Sequence, residues 1–264
     1  MATTNQNPIA EADPKKGKSN SEAGHAKTIA FFDEIISASI GYGTAYNPSK
    51  ANIKVAAMQA TSTNAKNALS AVNAAIPAYS NAVAAREIAF LPLTKLSTRI
   101  LNALKATDTP QQVIDNAKTI VRKLQGSRAK PKKTDEQIES LAAKGITVKE
   151  ISASQLSFDN KLDNLDKLIK QLGAATLYIP NEGDLKVASL TALYNDLKLK
   201  NNAVLTTSTP LFNARFMRNE LLYKPGTGIV DTALAAKTYI KSVFGATSPQ
   251  YKQIAKTRFR NVKY

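Results

Sequence analysis

The chain has 264 residues, and its 36 lysines and arginines outnumber 20 acidic residues to give a formal net charge of +16 at pH 7. It contains no cysteine, which excludes disulfides, thiolate metal ligands and cysteine nucleophiles and leaves the redox compartment open. The one histidine is His25. A histidine metal site, a Ser-His-Asp triad and a histidine base are therefore not expected in the folded part.

The composition favours helices. Hydrophobic residues make up 43% of the chain but aromatic residues only 6%, and there are only 11 glycines and 11 prolines. We expect a close-packed, alanine-rich helical core. No run of about 20 apolar residues is present to span a membrane, and the polar N-terminal sequence does not resemble a secretory signal. The expectation is a cytoplasmic protein without membrane insertion.

The first half of the chain predicts a polar tail followed by helices. Residues 1–26 hold little that could be buried and predict a disordered or extended tail. A short helix is predicted over 27–40 and a long one over 50–76, with a break or kink at Pro77 and a second helix to Phe90. Small or apolar residues recur every seven positions in the long helix, which is typical of a helix-packing seam. These residues are Val55, Ser62, Leu69 and Ile76, and Met58, Ala65, Val72 and Tyr79.

Helix signals continue to the middle of the chain. A helix over 97–106 is followed by a restart in which Thr109 is the predicted N-cap of a helix that runs to Leu124. Residues 126–134 read as a basic linker, and a capping box at Thr134 and Gln137 predicts a short helix over 135–144. A further capping box, Thr147 with Glu150, predicts a helix over 148–172 that ends at Gly173.

One stretch occurs twice. Tyr46–Ala60 returns 132 positions later as Tyr178–Ala192, with six of fifteen residues identical. At the same offset, the seven-residue positions from Met58 to Tyr79 correspond to Leu190, Leu197, Val204 and Leu211. With a one-residue slip, Pro77 and Pro92 correspond to Pro210 and Pro225, and near the ends of the repeats Arg122 corresponds to Arg260. Recurring prolines and caps indicate an internal duplication rather than two unrelated segments that share a helical period.

The predicted fold class is therefore an all-α, internally duplicated helical bundle with two pseudo-equivalent units of about four helices each. The predicted divisions are a tail over 1–26, a first repeat over 27–125, a basic linker with a short helix over 126–147, and a second repeat over 148–264.

Residues suited to catalysis are sparse. The sequence has no Glu-x-x-His motif of di-iron bundles and no phosphate-binding glycine loop. Arg86 with Glu87, and Arg218 with Glu220, occupy corresponding places and are interpreted as structural polar pairs. We expect no enzymatic activity, no metal and no cofactor.

Two basic clusters without acidic residues end the two repeats, over 118–133 and 237–264, and each is expected to cover the last helix of its repeat. They are candidate polyanion-binding sites, and Tyr251, Phe259 and Tyr264 are placed to stack on bases in the second. A solvated surface or an acidic protein partner are the alternatives. The candidate residues are Lys118, Arg122, Lys123, Arg128, Lys130, Lys132 and Lys133 in the first cluster, and Lys252, Lys256, Arg258, Arg260 and Lys263, with Lys237 and Lys241, in the second.

Two functions follow as expectations. The first is a non-enzymatic structural or scaffolding protein that binds itself or another protein and can assemble into oligomers or filaments. The alternative is a nucleic-acid-associated protein that holds phosphate backbones non-specifically through the clusters at 118–133 and 237–264.

Overall fold

The computed structural model describes residues 23–127, 134–145 and 156–262. Within these ranges the regular elements are all helices, which confirms the predicted all-α class. The α-helices are α1 (Ala23–Gly41), α2 (Val55–Phe90), α3 (Leu93–Lys105), α4 (Gln111–Leu124), α5 (Asp135–Ala142), α6 (Phe158–Ala174), α7 (Val187–Tyr223), α8 (Ile229–Phe244) and α9 (Pro249–Ala255). Short 3₁₀ turns occupy Gly43–Ala45, Ala51–Ile53 and Gly183–Leu185.

The chain forms two compact units. Unit 1 consists of Met1–Val72 and Ala214–Tyr264, and unit 2 consists of Asn73–Asn213. The boundaries fall inside the two long helices, α2 and α7, so each of these helices contributes to both units. Each compact unit therefore contains sections of both predicted repeats.

The core of unit 1 joins the helices at the two ends of the chain. Phe32 and Ile35 of α1 are completely buried, as are Met58 of α2 and Leu222 of α7. Helices α8 and α9 complete this core, and Ile254 of α9 is among its buried residues. Each of these helices turns its apolar side toward this core, as expected for amphipathic helices.

The core of unit 2 is built by α3, α4, α6 and the first part of α7. Helix α6 contributes Leu165 and Leu168, and α4 contributes Ala117, all of which are completely buried. Leu190 and Leu197 of α7 pack into the same cluster. Helix α5 has no buried residue, so it adds nothing to this core.

The seven-residue period correctly predicts the buried face of both long helices. Ala65 and Val72 of α2 are fully buried. The corresponding positions of α7 are buried as well, and these are Leu190, Leu197, Val204 and Leu211. Small side chains such as Ala65 allow close helix approach.

Of the predicted break or kink at Pro77, the break is wrong, because α2 extends from Val55 to Phe90 with Pro77 inside it. Pro77 cannot donate a backbone hydrogen bond to the carbonyl of Asn73, but both residues are exposed. Water can therefore satisfy that carbonyl and lower the cost of the proline. Helix α7 contains Pro210 in the same way, also at an exposed position.

The starts of α1, α2, α3 and α6 differ from the predictions. Helix α3 begins at Leu93 and not at Ser97. Helix α1 begins at Ala23 and includes His25, whose Nδ1 lies 2.8 Å from the hydroxyl of Tyr223. Helix α2 begins at Val55 because a 3₁₀ turn occupies Ala51–Ile53. Helix α6 begins at Phe158, where the Ser157 side chain accepts from the amide of Asn160. The segment 1–22 and the capping box of Thr147 with Glu150 lie outside the described residues.

The predicted capping boxes have different outcomes. Thr134 and Gln137 form the predicted reciprocal pair at the start of α5. Thr109 does not cap α4: Pro110 occupies the N-cap position, and the Thr109 hydroxyl lies 2.6 Å from that of Thr107. The proline supplies the turn geometry by its fixed φ, which leaves the threonine free to bond within the preceding loop.

The two long helices begin with the same local structure. Tyr46 donates its hydroxyl to the carbonyl of Ile53 at 2.7 Å, and Tyr178 donates to the carbonyl of Leu185 at 2.9 Å. In each case the tyrosine is buried and the acceptor ends a 3₁₀ turn two residues before the helix. The intervening residue has φ −66° and ψ 143° at Lys54 and φ −63° and ψ 141° at Lys186.

Candidate functional site

A basic groove lies between α3 and α4 in unit 2. It has a volume of about 500 Å³. Its apolar part consists of Leu101 and Val121, and its cations are Lys105, Lys118 and Arg122. Asp115 is the one acidic residue of this lining, so the groove carries a formal charge of +2. The groove can therefore attract an anion of small-molecule size.

The amphipathic pattern of the two helices produces this lining. On α4, burial of Ala117, Val121 and Leu124 leaves Lys118 and Arg122 at the edge of the buried face. These two cations are four residues apart and so lie on neighbouring turns of one side. On α3, burial of Ile100 and Leu104 leaves Lys105 at the helix end.

Arg122 is the most unusual member of the groove. Its Nε is buried and has no hydrogen-bond partner within the described part of the chain. Two other polar side chains of the groove hydrogen-bond to other residues. The Asp115 carboxylate accepts from the side-chain amide of Gln111 at 3.1 Å, and the side-chain amide of Gln125 donates to the Thr98 hydroxyl at 2.9 Å. A buried guanidinium donor without an acceptor is uncommon, because it loses its hydration without compensation.

The structure places the first predicted basic cluster only in part. Lys118 and Arg122 line the groove, and Lys123 is exposed on α4 outside its lining. Sequence reasoning missed Lys105 and Asp115, which reach the groove from α3 and from an earlier turn of α4. The other predicted members of this cluster lie outside the described residues, and these are Arg128, Lys130, Lys132 and Lys133.

The second basic cluster lies in unit 1 and is only partly helical. Lys252 is on α9, which ends at Ala255. The expectation that this cluster covers a helix is therefore wrong from Lys256 onward: Lys256, Arg258 and Arg260 follow the helix in irregular backbone, and Lys263 lies outside the described residues. The short helix ends because the Thr257 side chain and amide both donate to the carbonyl of Ile254.

Lys237 serves the fold of unit 1. Its ammonium group donates to the carbonyls of Ala255 and Thr257, at 3.3 and 2.7 Å. Burial lowers the pKa of Lys237, as expected for an ammonium group partly removed from water. This lysine satisfies carbonyls at the end of α9 and is not available to a polyanion.

The aromatic residues of the second cluster are also engaged in unit 1. Phe259 packs against the core and makes an edge contact with Phe31, with ring centroids 6.3 Å apart. Tyr251 packs against the same core, and the ammonium of Lys241 lies 5.9 Å from its ring. Tyr264 lies outside the described residues. The two described rings therefore have structural partners already.

The predicted polar pair at Arg86 has other partners. The Arg86 guanidinium lies 4.0 Å from the ring centroid of Phe158 and donates to Asn201 at 3.3 Å. Asn201 in turn donates to Asp159 at 2.8 Å, while Glu87 is exposed. This chain of contacts connects α2, α6 and α7 within unit 2, and its role is structural.

The middle of α7 in unit 2 combines exposed apolar side chains with an absence of charged residues. Residues 73–85 of α2 and 201–213 of α7 contain no Lys, Arg, Asp or Glu. On α7 this stretch exposes Leu205 by 64% and Phe212 by 68%. Because they are seven residues apart, both side chains lie on one side of the helix. Thr209 lies between them on α7 and is also exposed. We call the surface formed by Leu205, Thr209 and Phe212 the uncharged face.

The described residues contain no helix long and apolar enough to cross a membrane. Across the same ranges, no three His, Cys, Asp or Glu side chains are grouped so that they could hold a metal ion. No family model matches the chain, and neither a curated protein nor a solved structure shows significant similarity to it.

Proposed function

We propose that the protein is a non-enzymatic structural protein that associates with copies of itself through the uncharged face. The observation that supports this is the exposure of Leu205 and Phe212 within a stretch of α7 that has no charged residue. Large exposed apolar side chains that cluster on one surface are typical of protein contacts.

The positive net charge of the chain limits the parts of its surface at which two copies can make contact. Two copies with a charge of +16 each repel one another. Association is least opposed where the surface has no charge, and residues 201–213 provide such a surface. Charge depletion and aromatic enrichment, here Phe212, are also features of interface cores.

We also propose that the chain arose by internal duplication. The support is the matching geometry at Tyr46 and Tyr178, whose hydroxyls bond equivalent carbonyls before helices that begin at Val55 and Val187, 132 residues apart. A duplicated chain can present related surfaces twice, which permits contacts that extend from copy to copy.

Sedimentation velocity tests the association. The wild type should sediment faster as its concentration rises from micromolar toward millimolar, and Leu205→Asp and Phe212→Asp should prevent this because each places a charge in the contact. Leu234→Asp is the matched control, since Leu234 is 45% exposed on α8 in unit 1. A wild type that remains a monomer at every concentration would contradict the proposal.

A second candidate function is non-specific binding of nucleic acid. It is favoured by Lys118 and Lys123 on α4 and by Lys252 on α9, which are all exposed. Affinity for single- or double-stranded oligonucleotides should fall steeply with salt if these cations contact phosphates. An absence of binding at low salt would exclude this candidate and leave the association proposal untouched.

A further inference from the structure

We propose that the groove between α3 and α4 binds a phosphate group, with the Arg122 guanidinium as its principal ligand. This inference does not depend on self-association. It deepens the second candidate function by assigning one discrete site, which distinguishes it from diffuse attraction to a basic surface.

The buried Nε of Arg122 is the first argument. No described residue accepts from this nitrogen, so no hydrogen bond at Nε holds the guanidinium in place, and the group can turn toward a ligand in the groove that it lines. Among common ligands, the phosphate group matches the planar fork of an arginine especially well, because two of its oxygens can accept in parallel.

The charge of the lining is the second argument. Lys118 lies one turn before Arg122 on the same side of α4, and Lys105 approaches from the end of α3. Asp115 is the acidic residue of the lining, so the three cations leave the groove with a formal charge of +2. A phosphate monoester carries nearly two negative charges at neutral pH, so it neutralises this lining more completely than a carboxylate does.

The size and composition of the groove indicate what the phosphate is attached to. A volume of about 500 Å³ falls within the usual range of small-molecule sites, about 300–1,000 Å³. Leu101 and Val121 offer apolar contact, while Asn102 and Thr119 offer polar groups beside them. The groove therefore fits a phosphorylated organic molecule, either free or as the end of a nucleic acid chain.

The stretch that corresponds to the end of α4 in the second predicted repeat lacks the helix that lines this groove. Arg260 is the sequence counterpart of Arg122, but it lies in irregular backbone because α9 ends at Ala255. The helix that would place a lysine and an arginine on one side is absent there. A single phosphate site per chain is therefore expected.

Isothermal titration calorimetry at constant ionic strength tests the proposal, with inorganic phosphate, adenosine monophosphate and a 5′-phosphorylated single-stranded oligonucleotide as probes. Wild type should bind at least one probe with one site per chain. Arg122→Gln should weaken that binding at least about tenfold. Lys123→Gln is the comparison variant, because it removes an equal charge from the next residue of α4 without altering the groove lining. It should leave the binding of inorganic phosphate and adenosine monophosphate unchanged, whereas diffuse attraction predicts that both variants weaken oligonucleotide binding alike.

The probes distinguish the sources of the phosphate. Binding of adenosine monophosphate assigns the site to a free phosphorylated molecule, and binding of the oligonucleotide alone assigns it to a nucleic acid end. If the oligonucleotide binds but Arg122→Gln and Lys123→Gln weaken it equally, the groove assignment is wrong and non-specific binding stands. If no probe binds, the groove assignment and the proposal of non-specific nucleic-acid binding are both wrong.

Two further variants separate binding from stability. Asp115→Asn removes the one negative charge of the groove lining and should strengthen binding several-fold. Arg122→Lys keeps the charge but loses the fork, and should bind less tightly than wild type but more tightly than Arg122→Gln. A weaker Asp115→Asn variant, or equal affinities of the Lys and Gln variants, would overturn the assigned geometry. Urea unfolding of each variant confirms that it is folded.

Discussion

The tyrosine at the start of each long helix provides the sharpest test of the fold. Tyr46 and Tyr178 are 6% and 5% exposed, and their hydroxyls donate to the buried residues Ile53 and Leu185 at 2.7 and 2.9 Å. Substitution by Phe removes one oxygen, keeps the ring and leaves the acceptor carbonyl without this donor. The perturbation is thus the same chemical change at two places in the chain.

The expected loss follows from the cost of an unsatisfied buried group. Removing one partner from a buried hydrogen bond costs about 1–3 kcal/mol. We expect about 2 kcal/mol for each variant, because the burial and the distances are nearly equal. For a chain of this size that corresponds to a fall in Tm of about 4–8 °C.

The assay is urea unfolding followed by circular dichroism, with thermal unfolding as a second readout. Tyr79→Phe is the control: Tyr79 is only half-buried on α2, and its change should lie within about 0.5 kcal/mol of wild type. The reasoning is refuted if either Tyr46→Phe or Tyr178→Phe falls within the range of this control. A large effect at one position and none at the other would also contradict the proposed equivalence of the two stretches.

Three further predictions concern single residues. Burial, with smaller contributions from Glu182 and Asp184, raises the pKa of Tyr178 from 10.0 to about 12. The neutral Tyr178 hydroxyl therefore contributes its full stabilisation of the folded state below pH 10, and this contribution is lost as the pH rises toward 12. Over this pH range, the urea midpoint should fall less in Tyr178→Phe than in wild type. Pro210→Ala should raise the free energy of unfolding by about 1 kcal/mol. Water at the exposed Thr206 reduces the roughly 3 kcal/mol cost of an internal proline, which still exceeds the roughly 1 kcal/mol gained from its stiffer unfolded chain; an unchanged or lower urea midpoint would contradict this. Gly126→Ala should lower the free energy of unfolding by about 1–2 kcal/mol, because φ of Gly126 is +71° and the new Cβ would lie 2.5 Å from the Leu156 side chain. An unchanged free energy of unfolding would contradict this and show that the backbone relaxes at this position.

The periodic apolar residues of the long helices could be predicted from the sequence because burial on a helix follows its own period. Met58, Ala65 and Val72 in α2, and Leu190 and Leu197 in α7, are buried as their spacing predicts. The capping box at Thr134 was also predictable, since its two hydrogen bonds join residues three apart.

The errors arise where solvent or tertiary neighbours decide the outcome. Continuity of α2 at Pro77 depends on exposure of the carbonyl that loses its donor, which the local sequence does not encode. Lys105 joins Arg122 only because α3 and α4 pack together, so spacing along the chain could not bring these two residues into one groove. Asp115 lies two turns before Arg122 on α4, so helical spacing alone could have placed it on the same side. The division of the chain into compact units has the same origin, since each unit combines residues far apart in sequence.

The uncharged face has a sequence signal that the seven-residue period does not contain. That period predicts burial of Val204 and Leu211, which are buried, while Leu205 and Phe212 follow them directly and are exposed. The absence of charge from 201 to 213, in a chain otherwise rich in lysine, is the feature that would have distinguished an exposed contact surface from a solvated one.

The most direct measurement of the association uses an environment-sensitive dye, since a chain without cysteine accepts one labelled cysteine at a chosen place. Thr209→Cys puts the dye between Leu205 and Phe212. Thr238→Cys is the control, because both threonines are exposed and donate to the carbonyl of an exposed leucine four residues earlier. Unlabelled wild type added to the labelled proteins should shift the emission of the dye at position 209 to shorter wavelength and leave position 238 unchanged. No shift at position 209, or equal shifts at both positions, would contradict self-association through the uncharged face.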